Sequence, residues 1–195
     1  MLDKLIAFKE HVKQAAENPA FIHHAWFVKW HLEIVEKIAG ELMQHYPQAD
    51  RVTVELLVWL HDYGKIIDFD HQYEVTLTAG SQKLLELGFP AEFVKRVIGL
   101  AEVIDKKGEL DLTQALIEVQ IVSSADVLSH LIGPFMYLWW YENAAKSFHE
   151  LMEDNRNKAL KDISRKIVLP EARAAAEPRY TFLLEQMGAI PERIV

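Results

Sequence analysis

The sequence predicts an all-α fold, a helical bundle built as a single domain over residues 1–195. Three observations predict it. Apolar residues recur with a helical period along most of the chain. Stop and start signals, among them Asn18-Pro19, Asp50, Gly88 with Pro90, and Pro134, fall between the periodic segments. No internal repeat, low-complexity tract or linker-like stretch divides the 195 residues, a length that suits one sizeable core better than two.

Residues 2–17 form a first amphipathic helix, which Asn18-Pro19 ends. Residues 26–45 form a second, with Ile34, Val35, Ile38 and Leu42 on one stripe. Asp50 is placed to cap a third, 51–62. Here Val52, Val54, Leu56, Val58 and Leu60 also alternate as a strand would. Leu57 and Trp59 fill the other face, however, and no second strand is available to pair, so helix is expected. A turn at 63–71, sharpened by Gly64, leads to a helix over 74–87 closed by Gly88. A helix over 91–105 follows, ended by Lys106-Lys107-Gly108. Asp111 with Gln114 resembles a capping box for a helix running to about 132. Pro134 suits the first position of the next helix, and segments at about 150–167 and 170–187 complete the bundle.

Composition excludes several classes. Half of the residues are hydrophobic and 26% are charged, as in an ordinary globular protein. The net charge of -8 argues against a general affinity for nucleic acid or anionic membranes. It also means that an anionic ligand needs a local positive feature. Cysteine is absent, so neither disulfides nor thiol chemistry are in play. The N-terminal MLDKLIAFKEHVKQ lacks the apolar core and small-residue cleavage site of a signal peptide. The longest apolar stretch, LIGPFMYLWWY (131–141), contains Gly133-Pro134 and is too short to span a bilayer. A cytoplasmic protein is expected.

Projected onto the helical stripes, a few polar residues fall on apolar faces. His31 lies three and four residues before Ile34 and Val35 and faces inward with them. His61 is in register with Val54, Leu57 and Val58, and Asp126 with Val119 and Val122. Asp62 stands beside His61. Buried imidazole and carboxylate are costly unless paired, and a divalent metal ion is one such partner. Taken singly, a His on an apolar face is more often a packed residue with one hydrogen bond, and an Asp more often a cap. In helical bundles, metal sites are commonly built from side chains on facing helices, and mixed imidazole and carboxylate ligands suit Mn, Fe, Co, Ni or Zn.

The order His31, then His61-Asp62 in LLVWLHDYGK, then Asp126 in IVSSADVLSH, resembles the HD superfamily of metal-dependent phosphohydrolases over roughly residues 24–130. LHDYGK is its most specific piece. The C-terminal LPEARAAAEPRYTFLLEQM is similar to the tail of small bacterial HD hydrolases. The resemblance implies an HD-type bundle, with the motifs at about 24–130 and C-terminal helices at about 134–188. It further implies a mononuclear centre whose ligands are His31, His61, Asp62 and Asp126. The ion would be one divalent transition metal (Mn, Co, Ni, Fe or Zn), with Mg also admissible. Dinuclear relatives carry further His ligands between the HD pair and the last Asp. Here 63–125 contains only His71, and Glu102 and Asp105 stand where a helix-borne His is expected. One metal is therefore the simpler reading. Val127 follows Asp126 where many relatives place a basic residue, so no substrate contact carries over to that position.

The activity implied is hydrolysis of a small phosphate ester, foremost a nucleotide, by a metal that activates water. Glu74 is the candidate general acid or base, with Asp68 and Asp70 behind it, although an acid in a first helical turn also serves the helix dipole. Lys65 is the candidate cation for the phosphate, against the alternative of a solvated turn lysine. Arg173 and Arg179 either reach over the site or make surface ion pairs. Lys29 is expected to point away from His31, and His23-His24 to form a solvated turn. His130 shares the face of Asp126 and reads as a packed polar residue able to support the ligands. Phe135, Tyr137, Trp139, Trp140 and Tyr141 read as mostly core, with one ring free to stack on a base. Two other classes stay open. One is a dinuclear oxygenase that recruits Glu102 or His71 for a second iron; the other is a non-catalytic module that binds a ligand or partner. The expected partner is a small phosphorylated molecule, with no nucleic acid and no membrane; a homodimer is left open.

Overall fold

Leu5, Phe8, Val12 and Ala16 recur three and four residues apart, and in the computed structural model of the protein they are the buried face of α1 (Leu2–Ala16). The structure describes residues 1–105 and 110–193, at Asp105 the backbone alone. The second segment departs from a plain helix. It opens with a π-helical turn, Val28–Leu32, before α2 (Glu33–Leu42). The Glu33 N–H reaches back five residues to the Val28 carbonyl, so an extra residue is fitted into the turn that carries His31.

Asp50 caps α3 (Arg51–Leu60), its carboxylate accepting the Thr53 N–H at 2.7 Å, a bond worth about 1 kcal/mol. Leu56 to Leu60 are all buried, which explains the strand-like pattern of this segment. A helix surrounded by neighbours keeps no polar face to reveal its period. Residues 63–71 are expected as a turn, but a short helix, α4 (Tyr63–Ile67), forms there, and Gly64 sits inside it. The reason lies across the gap in α5 (Gln72–Glu86). The Gly64 N–H donates to Thr76 Oγ1 at 2.9 Å, and a Cβ at position 64 would meet the Gln72 carbonyl oxygen at 1.9 Å. Gly64 serves close approach of two backbones. Gly88, at φ +78°, closes α5 as expected.

α6 (Ala91–Asp105) follows; its expected stop, Lys106-Lys107-Gly108, lies outside the described residues. Asp111 does cap, but only the 3₁₀ turn Leu112–Gln114. Its carboxylate accepts the Thr113 N–H at 3.0 Å and the Thr113 hydroxyl at 2.7 Å. The Gln114 amide turns to Thr113 Oγ1 at 3.3 Å, and Leu116 is extended, so the long helix starts later as α7 (Ile117–Ser129). From Glu118 to Ser129 every residue of α7 but Gln120 is buried, and the helix packs against α2, α3, α6 and α10 (Pro170–Gln186). Ser123 and Ser124 on α7 pin the link into α10. Ser123 Oγ donates to the Lys166 carbonyl at 3.1 Å, and Ser124 Oγ accepts the Val168 N–H at 3.2 Å.

Pro134 stands one residue before α8 (Phe135–Glu142), as its cap residue rather than its first member. A Ser147–Glu150 capping box opens α9 (Phe148–Arg165). Met136, Ala159, Leu183 and Met187 form a small apolar cluster that joins α8, α9 and α10 beside the main core. Among the described residues there is no strand, and no helix is long and apolar enough to cross a membrane.

Candidate metal centre

Three helical elements deliver polar groups to one buried point. His31 leaves the π-helical turn, His61 ends α3, Asp62 bridges α3 and α4, and Asp126 sits on the central α7. His31, His61 and Asp126 are only 1%, 2% and 3% exposed. His31 Nε2 lies 3.3 Å from Asp62 Oδ2 and 3.7 Å from Asp126 Oδ1. His61 Nε2 lies 3.6 and 3.8 Å from the same two oxygens. All four residues drawn from the sequence converge.

The outer nitrogens settle which way the rings face. His61 Nδ1 donates to the Val58 carbonyl at 2.7 Å. His31 Nδ1 donates at 3.1 Å to Ser129 Oγ, whose own hydrogen goes to the Asp126 carbonyl at 2.6 Å. Each ring thus presents the Nε2 lone pair to the cluster. His31 Nε2 is buried and makes no hydrogen bond. Donors held about 2.1 Å from one ion stand about 3.0 Å apart at adjacent octahedral positions and about 3.4 Å apart in a tetrahedron. The nitrogen-to-oxygen spacings here, 3.3–3.8 Å, lie at or somewhat above the tetrahedral edge, so this donor set fits a divalent ion that draws it slightly inward.

Electrostatics agree with a cation site. Burial alone would raise the Asp62 carboxyl, but Lys65, His61 and His31 hold it well below the usual carboxylate range. Lys65 Nζ donates to Asp62 Oδ2 at 2.6 Å. Burial lowers the His31 imidazole to about 4, despite the pull of Asp62 and Asp126, so the ring is neutral at pH 7. In the unfolded chain His31 takes up a proton below about pH 6.5, whereas in the fold it does so only near pH 4. The metal-free protein is therefore expected to lose on the order of 2–3 kcal/mol of stability from this group as pH falls from 6.5 to 4. Urea unfolding across that range checks it: His31→Gln should flatten the profile, and a wild-type profile already flat would contradict the buried neutral ring.

Two residues that the sequence reading undervalued join the cluster. His130, expected as a packed polar residue, is buried one turn beyond Asp126, with Nε2 3.3 Å from Asp126 Oδ1. Its Nδ1 donates at 2.9 Å to Asp162 Oδ2, a carboxylate on α9 that no motif singles out. Burial alone would raise Asp162, but His130, Lys158 and Lys166 hold it far below the usual range. The i, i+4 spacing of Asp126 and His130 was the available signal for the first. Nothing local marks the second.

Other expectations are redirected. Glu74 is exposed on the first turn of α5, and no described contact joins its carboxylate to the cluster. His71 is exposed and donates to Asp68 at 2.9 Å. The groups of described residues able to hold a metal include neither His71 nor Glu102, and the Asp105 side chain lies outside the described residues. Arg173 and Arg179 do not reach over the site: they donate to the Ile167 and Ala175 carbonyls at 2.7 and 2.6 Å. Lys29 points away as expected, over the ring of Trp30. His23 is no solvated turn residue, since it pairs with Glu142 at 2.8 Å. The aromatic helix α8 is not mostly core either. Tyr137, Trp139 and Tyr141 are exposed, because α8 covers the bundle on one side only.

Beside the cluster opens a cavity of about 400 Å³. Trp26, Phe69, Phe135 and Trp139 give it aromatic walls, Lys65 and Lys158 give it cations, and Glu142 and Asp154 also line it. It borders the polar cluster through Lys65, bonded to Asp62, and Phe135, stacked on His130 at 4.1 Å. A family model described as HD domain matches residues 30–131, just over half of the 195-residue chain and the whole stretch from His31 to His130. No curated protein and no solved structure matches.

Proposed function

The chain belongs to the HD domain family of metal-dependent phosphohydrolases, and from that membership we propose that it hydrolyses a small phosphate ester, foremost a nucleotide, at a centre held by His31, His61, Asp62 and Asp126. The observation that carries the proposal is the meeting of two imidazole nitrogens and two carboxylate oxygens, with nitrogen-to-oxygen distances of 3.3–3.8 Å, beside an aromatic cavity. A divalent ion held by these residues would lower the pKa of a water and neutralise charge on a phosphoryl oxygen. The side chains supply the rest. Ser129 and the Val58 carbonyl keep both imidazoles in the ligating tautomer. Lys65 can hold a phosphate oxygen next to the Asp62 carboxylate, and Lys158 brings a second cation to the same cavity. The rings of Trp26, Phe69 and Trp139 offer flat apolar faces to a base, which favours a nucleotide over an alkyl phosphate.

The test is a panel of phosphate esters assayed with Mn, Co, Ni, Mg and Fe in turn. Nucleoside monophosphates are expected to be cleaved faster than alkyl phosphates, with one ion per chain by elemental analysis. If no ester releases phosphate with any metal, the chain is a binding module. Two irons per chain would instead favour oxygenase chemistry. Within the enzyme reading, Lys65→Ala is expected to keep the ion yet lower kcat/KM. The loss of one charge-assisted contact is worth on the order of 1.5–3 kcal/mol, roughly ten- to a hundredfold. A variant that matches wild type on the best substrate would reduce Lys65 to a partner of Asp62 alone.

A further inference from the structure

We infer that His130 is a fifth protein ligand of the ion, held in place by Asp162, so that the centre is built from three imidazoles and two carboxylates. The inference rests on the metal-dependent reading above and changes its coordination.

The first support is position. His130 Nε2 lies 3.3 Å from Asp126 Oδ1, as close as any other pair in the cluster. The nitrogens and oxygen of His31, Asp126 and His130 all lie within 4.8 Å of one another, as do those of His31, His61 and Asp62. The two groups share His31, whose single Nε2 lone pair can serve one ion only, so an ion bound there would draw both groups in around it.

The second support is orientation. His130 Nδ1 donates to Asp162 Oδ2 at 2.9 Å, with Lys158 Nζ 3.2 Å from the same nitrogen, and Asp162 is already neutralised by Lys158 and by Lys166, whose Nζ stands 3.1 Å from Oδ1. Asp162 therefore serves as the acceptor for the Nδ1–H, and Nε2 is left aimed at the Asp126 oxygen at 3.3 Å, longer than a good N–H···O bond and close to the spacing of two donors on one ion. His31 and His61 are turned inward by the same device, with Ser129 and the Val58 carbonyl as their acceptors. A carboxylate behind a histidine is the strongest version of it, since it raises the basicity of the ligating nitrogen. Asp162 is the positioning residue of the set, and it reaches the ring from another helix.

The third support is what the fifth donor does. With five protein donors the ion is six-coordinate when one position remains for water or a phosphate oxygen. That geometry suits Mn, Fe, Co or Ni and disfavours the four-coordinate preference of Zn.

The test is made on the full chain loaded with Co(II). A ligating imidazole whose Nδ1 carries hydrogen gives one strongly shifted, solvent-exchangeable proton signal in the NMR spectrum. Three such signals are expected, from His31, His61 and His130, together with the weak visible absorption of a six-coordinate ion. Asp162→Asn is expected to weaken Co(II) binding roughly ten- to a hundredfold, and His130→Gln at least as much, with one ion still bound at saturation. Should His130→Gln fail to fold, the wild-type spectrum alone decides. One ion with only two shifted exchangeable signals overturns the inference and leaves the four-ligand centre standing. So does unchanged affinity in folded His130→Gln. A wild-type protein that takes up no Co(II) overturns both.

Discussion

Asp62→Ala is expected to abolish metal binding and phosphate-ester hydrolysis together while leaving the helical content intact. Asp62 Oδ2 is 3.3 Å from His31 Nε2 and 3.6 Å from His61 Nε2, so it is the carboxylate nearest to both rings. It also neutralises Lys65, whose ammonium bonds it at 2.6 Å. Removing it takes away one ligand and leaves an unpaired lysine beside the remaining ones, which repels a divalent cation. Losing a single preorganised oxyanion donor costs roughly 10²–10³ in kcat, and losing the ion is expected to exceed that. The fold tolerates the change, because Asp62 lies at the junction of α3 and α4 and the core around it is made by Trp59, Leu60 and Tyr63. Elemental analysis, far-UV circular dichroism and turnover measure the three parts. A variant that retains one equivalent of metal and wild-type turnover would remove Asp62 from the centre.

Gly64→Ala is expected to be the most destabilising single-methyl substitution in the motif region, by on the order of 3–5 kcal/mol. The added Cβ would stand 1.9 Å from the Gln72 carbonyl oxygen and 2.6 Å from the Thr76 nitrogen, both backbone atoms that cannot swing aside. Relief requires α4 and α5 to part, which also breaks the Gly64 N–H bond to Thr76 Oγ1. The melting temperature should fall by roughly 10 °C or more. Metal affinity should fall with it, because α4 carries Lys65 and anchors Asp62. Gly99→Ala is the control. Position 99 lies inside α6 and its Cβ would meet nothing within 4 Å, so alanine there is expected to be neutral or mildly stabilising. Equal melting temperatures for the two variants would refute the close-packing account of Gly64.

The α3 segment illustrates how far patterning reaches. Its alternating Val and Leu residues resemble a strand, yet the lack of a pairing partner and the Asp50 cap identify the helix. The same local logic misplaces the start of α7, because Asp111 has a nearer donor in Thr113 than any a longer helix would offer. It misreads residues 63–71 as well. Nothing in YGKII signals that a short helix forms only because α5 packs against it.

By itself the sequence determined the helical class and the inward register of His31, His61 and Asp126. Register against an apolar stripe is a property of one helix, written within about seven residues. Only the tertiary structure decided the remainder: the π-helical turn that seats His31, the aromatic cavity, the diversion of Arg173 and Arg179 to backbone carbonyls, and the pairing of His130 with Asp162. Those two residues lie 32 positions apart, His130 at the C-terminal end of α7 and Asp162 on α9, and their hydrogen bond exists only because the fold brings α9 to that end. A spacing within one helix can show that a side chain points inward. What it meets there depends on a second helix, whose approach is set by packing of the whole core.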